Sequence, residues 1–439
     1  MAAAPWRKKT GELSTQDDGQ EVWVGGWVQE VRNLGGICFL QLRDRDGVVQ
    51  VTVLKKKSPE LFTMLTGLSR ETVVLIRGTL KVNAEAKRGF EILPSEVQVQ
   101  APAEAPLPLG IVDKVRAEMD TRLDNRILDV RKPEIAAVFQ LRAVFLQGVR
   151  RYLEQQGFVE VATPKVVGAG AEGGATLFKT DYFGKPAYLA QSPQLYKQML
   201  MGAGLDRVYE IAPAFRAELS DTTRHVAEFT SYDAEVSFIR DQEDFLSLLE
   251  GSLIAGMTHT LEQGKALLET IAVQPKVPTL PLTRLSYPQA LERIAEGGRE
   301  IPDGQDIDTE AEKILGRVMA EKGVEMYFIK GYPAAIKPFY VMVQEDDPDY
   351  THSFDLDYKG DEMASGGQRE HRVERLTARM QTMGLNVGSF DFYLKAFRYG
   401  MPPHGGWGLG VDRFIQKMLD LPNIREAILF PRDRSRLVP

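Results

Sequence analysis

Cysteine is almost absent from this chain: Cys38 stands alone among 439 residues. One thiol excludes an intramolecular disulfide framework and any thiolate zinc cluster. Histidine is scarce as well, and His225, His259, His352, His371 and His404 show no metal-ligand spacing. No apolar run approaches the roughly 18 residues of a membrane span. The opening MAAAPWRKKT carries no apolar signal-peptide core, so a cytoplasmic protein that does not enter a membrane is expected. An excess of positive charge is also missing. The net charge of −7 argues against a globally basic nucleic-acid binder, while leaving room for a local basic surface such as Lys55-Lys56-Lys57. What remains, 43% apolar and 26% charged, is ordinary for a soluble globular protein. The length suffices for two or three domains.

Two stretches carry chemistry. The first is FRAELSDTTRHVAEFTSYD, from Phe215 to Asp233. Arg216 offers charge and paired hydrogen bonds to a phosphate. The Glu218 carboxylate accepts from an exocyclic amine, Arg224 and His225 form a second basic pair, and Phe229 offers a ring to stack on a base. One hairpin could thus hold all three parts of ATP; a solvated charged hairpin is the plain alternative. The second stretch is PHGGWGLGVDR at 403–413, followed by the helical pattern FIQKMLDL. A glycine-rich turn entering a helix lets backbone approach a ligand closely. Arg413 falls in the first helical turn, where the helix dipole prefers acids, so it suits a nucleotide better than a stabilising role. The glycine spacing is not that of a dinucleotide fingerprint.

Residues 21–99 read as five short strand runs punctuated by glycine, with a helical pattern, PELFTMLTGL, after the third. That order suggests an OB-fold barrel, a common holder of single-stranded nucleic acid. APAEAPLPLG at 101–110 is a stiff proline-rich linker. Helices are expected from Ala136 to Gln156, Glu243 to Gly264 and Thr309 to Lys322. No regular βαβ repeat is present.

In order and at fitting separations, 157–164 (GFVEVATP, with Pro164), 215–233 and 408–413 resemble motifs 1, 2 and 3 of the class II aminoacyl-tRNA synthetases. The chain is most similar to the compact, archaeal-type aspartyl branch (class IIb). The resemblance implies an α+β fold: an OB-fold anticodon-binding domain over 1–104, a hinge over 105–135, and a class II catalytic domain over 136–439. The last is expected as an antiparallel sheet flanked by helices. Motif 1 implies a homodimer. Asp412 stands where many class II enzymes carry glutamate.

The implied substrates are L-aspartate, ATP and tRNA-Asp, with tRNA-Asn as a possible second acceptor and Mg2+ as cofactor. By this resemblance Lys197 and Arg369 bind the aspartate side chain. Asp233, with Ser365 and Gln194 near it, takes the α-amino group, and Glu172 sits on a loop over the amino acid. Arg216 touches aspartate and the α-phosphate. ATP is also held by Glu218, Arg224, His225, Val226, Phe229, Glu362, Gly410 and Arg413. Magnesium falls to Glu362, Ser365 and Asp355, and the catalytic set is Arg216, Glu362 and Arg413. Anticodon contacts match Arg32, Phe39, Gln50 and Glu91. Gln29 and Lys87 match two positions that track tRNA discrimination. A lysine at the second accompanies discriminating enzymes, and a histidine at the first accompanies relaxed ones, so a discriminating enzyme is expected. The rivals are a relaxed enzyme charging tRNA-Asp and tRNA-Asn alike and, more remotely, an asparaginyl-tRNA synthetase, which Lys197 disfavours.

Overall fold

The computed structural model describes residues 6–112, 117–168, 177–217 and 222–439. The chain divides into two compact units, Met1–Glu118 and Met119–Pro439. In the first, strands β1 (Glu21–Asn33), β2 (Ile37–Asp44), β3 (Gly47–Leu54), β4 (Val73–Val82) and β5 (Phe90–Ala101) close into a barrel of order β1-β2-β3-β5-β4. The helix Pro59–Thr66 follows β3, which is the OB-fold arrangement expected from the sequence. Alternation builds the barrel. Cys38, Leu40 and Leu42 of β2 and Val49, Val51 and Val53 of β3 are buried in one core, so the residues between them face outward. Gln29 is the extra residue of a bulge, because the β1–β2 pairing shifts between Val28 and Glu30.

The second unit is organised on eight strands in the order β12-β13-β14-β15-β16-β11-β10-β6. In chain order these are β6 (Val159–Glu160), β10 (Arg207–Phe215), β11 (Glu228–Ser237), β12 (Thr283–Ser286), β13 (Met326–Lys330), β14 (Ser353–Tyr358), β15 (Asp361–Gln368) and β16 (His404–Gly410). The strands from β13 to β10 are antiparallel, and β12 and β6 join the two edges in parallel. A separate small sheet holds β7 (Val166–Val167), β8 (Lys179–Tyr182) and β9 (Lys185–Leu189).

One face of the large sheet is apolar. Phe328, Phe354, Leu356, Trp407 and Leu409 share a core with Leu141, Phe145 and Val149 of helix Pro133–Gln155 and with Phe245, Leu249 and Leu253 of helix Glu243–Gln263. The first of these helices begins three residues before the expected Ala136, because Pro133 fits the first turn, where no amide donor is needed. The connecting stretch after residue 118 is fixed to this unit. Arg126 is 1% exposed and donates to the carbonyls of Leu429 (2.9 Å) and Ile428 (2.8 Å) and to Asp129 (2.7 Å). Among the described residues no helix is long and apolar enough to cross a membrane.

The glycine-rich stretch 403–413 departs from its expected turn. It is mostly strand β16, with Gly410 capping the helix Val411–Met418. Glycine is needed there for a steric reason. A Cβ at Gly406 would collide with the Ala234 carbonyl and the Glu235 carboxylate, and one at Gly408 would lie 3.1 Å from Asp233 Oδ1.

Candidate active site

Cross-strand pairing sets the site's floor. Asp233 of β11 lies opposite Gly408 of β16, Gly408 opposite Ser365 of β15, and Ser365 opposite Asp355 of β14. Directly paired residues share a face, and this one is opposite the apolar core. The hairpin of β10 and β11, with Phe215 opposite Glu228, raises Arg216, Arg224 and Phe229 beside that row. Helix Val411–Met418 adds Arg413 in its first turn. Together they enclose a cavity of about 310 Å³ whose walls include Gln194, Arg216, Arg224, His225, Val226, Phe229, Asp233, Glu362, Ser365, Arg369, Gly410 and Arg413. Glu172 and Glu218 lie outside the described residues.

Lys197 and Asp355 stand behind this wall. The Lys197 ammonium is 2.9 Å from Asp233 Oδ1, donates to the Trp407 carbonyl at 2.7 Å and lies 3.6 Å from Glu235. The ammonium expected to meet a substrate carboxylate and the carboxylate expected to meet a substrate amine are therefore bonded to each other. Arg369 forks onto Glu235 at 2.9 and 3.3 Å and reaches Gln194 Oε1 at 3.4 Å. Two cations thus face two carboxylates in a buried block. Burial pulls the Glu235 carboxyl upward, but Arg369 and then Lys197 outweigh it and hold it below the usual carboxylate range. Gln194 Nε2 is buried without a hydrogen-bond partner among the described residues, a donor aimed at the place where a ligand would complete it. Sequence reasoning missed Glu235. The signal was its spacing of two from Asp233 on one strand, which puts both carboxylates on the same face.

The arginines of the cavity already have partners within the protein. Arg413 donates to the Glu362 carbonyl at 2.9 Å, and the Arg216 guanidinium lies 5.3 Å from the centre of the Phe229 ring. The Arg224 guanidinium is bonded to Asp361 (2.6 Å) and Glu312 (3.0 Å). Asp355 is clasped by Lys337, with both oxygens within 3.0 Å of its Nζ. Burial and the Asp355 charge push the Glu362 carboxyl up to about 7, against the pull of Lys337 and Arg413. Lys337 and Arg413 only partly offset the burial and the neighbouring carboxylate, and an added divalent cation would favour the ionised form further. Among the described residues no three His, Cys, Asp or Glu side chains converge on one point. The Glu362 and Asp355 carboxylates and the Ser365 hydroxyl are hard oxygen donors of the kind that suit a cation completing its shell with water and other oxygen ligands. Lys337, which lines the cavity, and Glu312 and Asp361, which hold its Arg224, were not singled out from sequence, since only the fold brings them together.

On the barrel, Phe39 is half-buried between Cys38 and Leu40, both fully buried, and lies outside the barrel core. It sits opposite Arg32 on one side and Thr52 on the other. Glu91 accepts from Gln50 (3.0 Å), Asn83 (3.1 Å) and Thr52, which fixes its carboxylate against β3, the strand that pairs with the ring's own. Arg32 is exposed and pairs with Glu30 at 2.7 Å. Lys87 is exposed in the turn between β4 and β5.

Comparison with known proteins follows the same division. A family model described as tRNA synthetases class II (D, K and N) matches residues 118–434, and one described as OB-fold nucleic acid binding domain matches 22–102. The chain is 51% identical over 432 residues to an aspartate–tRNA(Asp) ligase of Thermococcus kodakarensis, covering 98% of this chain and 99% of the relative. It is 48% identical over 429 residues to an aspartate–tRNA(Asp/Asn) ligase of Methanothermobacter thermautotrophicus, covering 98% and 97%. Among solved structures, the asparaginyl-tRNA synthetase of Pyrococcus horikoshii with asparaginyl-adenylate superposes with a TM-score of 0.92 at 32% identity, covering 99% of each chain.

Proposed function

The chain belongs to the class II tRNA synthetases of the D, K and N group, and from that premise we propose that it attaches L-aspartate to tRNA-Asp through an aspartyl-adenylate and discriminates against tRNA-Asn. The buried block of Lys197 and Arg369 against Asp233 and Glu235 carries the amino-acid assignment. An entering aspartate offers an ammonium to Asp233 and a β-carboxylate to Lys197 and Arg369, so it exchanges one internal ion pair for two substrate pairs. A neutral side-chain amide keeps the ammonium pair but gains none with Lys197 and Arg369. Contact between one cation and the carboxylate is of order 4 kcal/mol at an effective dielectric near 20. Ser365 and Gln194 flank the amino group, and Glu172 is assigned to the bound aspartate as well.

The aspartate α-carboxylate is already ionised, so activation needs positioning and charge stabilisation rather than a general base. It attacks the α-phosphate of ATP in line, forming the acyl–phosphate bond as pyrophosphate leaves. Arg216 meets the charge that develops on the α-phosphate. Phe229 stacks on the base, with Val226 and Gly410 beside it and Glu218 on the exocyclic amine. Arg224, His225 and Arg413 take the outer phosphates. Glu362, with Ser365 and Asp355, would hold Mg2+, which when bound neutralises phosphate charge. In the second step a 3′-hydroxyl of the terminal tRNA adenosine attacks the adenylate carbonyl and AMP leaves. On the barrel, Phe39 stacks on an anticodon base while Arg32, Gln50 and Glu91 read base edges, the usual logic of single-stranded RNA recognition.

Discrimination rests on Gln29 and Lys87. One lies on a bulge, which re-aims a side chain, and the other is exposed at a turn. The two relatives of similar identity carry different tRNA specificities in their names, so overall identity does not choose between them and the proposal rests on these two positions. We further assign the enzyme to the cytoplasm as a homodimer built on the motif 1 segment. Charging of tRNA-Asp and tRNA-Asn transcripts by the native enzyme and by the Gln29→His/Lys87→Pro double variant tests the reading. Gain of tRNA-Asn charging by the variant supports it; an unchanged preference refutes the assignment of these two positions.

A further inference from the structure

Glu312 belongs to the helix Thr309–Glu321, to which the sequence assigns no function. Its carboxylate receives the Arg224 guanidinium at 3.0 Å, and Asp361 at the head of β15 receives the same nitrogen at 2.6 Å. The hydroxyl of Thr309, the first residue of that helix, takes the other guanidinium nitrogen. Four elements thus meet at one arginine, because Lys417 of helix Val411–Met418 also pairs with Asp361. The two acids are not equivalent. If Arg224 turns away, Asp361 keeps Lys417, whereas among the described residues Arg224 is the cation within ion-pair distance of Glu312. A phosphate that takes Arg224 must therefore compete with Glu312 above all.

We propose that Glu312 is a positioning residue that competes with the outer phosphates of ATP for Arg224 and so sets the concentration at which ATP captures that arginine. The proposal rests on the reading of Arg224 as an ATP-phosphate ligand. Charge-assisted hydrogen bonds are roughly twice as strong as neutral ones, and Glu312→Gln keeps the shape while removing the charge. It is expected to lower the KM for ATP in aspartate-dependent pyrophosphate exchange by roughly three- to tenfold. The KM for aspartate should not move.

Arg224→Ala should raise the KM for ATP, and adding Glu312→Gln to it should then change nothing. A purely structural Glu312 would not produce that loss of effect. Glu312→Asp keeps the charge but shortens its reach; it should lower the KM less and serves if the glutamine variant folds poorly. If Arg224→Ala raises the KM but Glu312→Gln leaves it unchanged or raises it, the competition is refuted while the phosphate assignment stands. If Arg224→Ala leaves the KM untouched, the phosphate assignment fails and the proposal with it.

Discussion

Replacing Lys197 by methionine should damage aspartate binding more than any other single change at the amino-acid end. Lys197 is 2% exposed, 2.9 Å from Asp233 and 3.6 Å from Glu235. Methionine keeps the length and removes the charge. The block then holds two carboxylates against Arg369 alone, so an arriving β-carboxylate meets a wall of net negative charge. One cation–carboxylate contact is of order 4 kcal/mol at an effective dielectric near 20, and charged hydrogen bonds measured by mutation give about 1.5–3 kcal/mol. A loss of about 2–4 kcal/mol corresponds to a rise of roughly 30- to 1,000-fold in the aspartate KM. The KM for ATP should stay within about threefold in the same pyrophosphate-exchange assay, and activation of asparagine should fall less than that of aspartate. Breaking a buried pair also costs about 3–5 kcal/mol of stability, so the variant should unfold at lower temperature and must be assayed below that point. An aspartate KM within threefold of the native value, in a folded variant, would refute the reasoning.

Three further outcomes are expected. Phe39→Ala should raise the KM for tRNA by roughly 5- to 150-fold, the value of about 1–3 kcal/mol for one stacked base, and leave pyrophosphate exchange unchanged; equal loss in both assays would mean the ring serves folding instead. His404 is fully buried, donates from Nδ1 to the Pro402 carbonyl (2.8 Å) and accepts at Nε2 from Gln198 (3.1 Å). Burial lowers its pKa from 6.5 to about 4, so between those values the unfolded chain binds the extra proton. Its contribution to stability is complete above pH 6.5 and is lost as pH falls towards 4, by about 3 kcal/mol in all. Urea unfolding across that window should show the slope, and His404→Gln should flatten it. Gly406→Ala should fail to fold or lose several kcal/mol, because its Cβ meets the Ala234 backbone carbonyl as well as the Glu235 carboxylate that Arg369 holds in place; a melting temperature near the native value would contradict the packing described for β16.

Much of the fold was legible because local rules and tertiary packing agree. The barrel strands alternate between core and surface, and the helices expected to begin at Glu243 and Thr309 begin there, the second capped by the Asp308 side chain. β16 was not legible as a strand. Four of its seven residues are glycine, which disfavours a strand on propensity. It forms because β11 and β15 pair with both its edges and the glycines leave room for Asp233 and Glu235. At the site, the arginines of the hairpin and of helix Val411–Met418 could be named from their motifs. Their partners could not: the bonds of Lys197 to Asp233, Arg224 to Glu312 and Lys337 to Asp355 join residues 36, 88 and 18 positions apart. Sequence order carries no trace of such pairings.

The most direct test is the initial rate at which the native enzyme attaches aspartate to purified tRNA-Asp and tRNA-Asn transcripts, measured side by side. Charging of tRNA-Asp alone is the predicted result. Comparable charging of both would contradict discrimination by Gln29 and Lys87, and would require a later amidation step to convert the aspartyl group on tRNA-Asn.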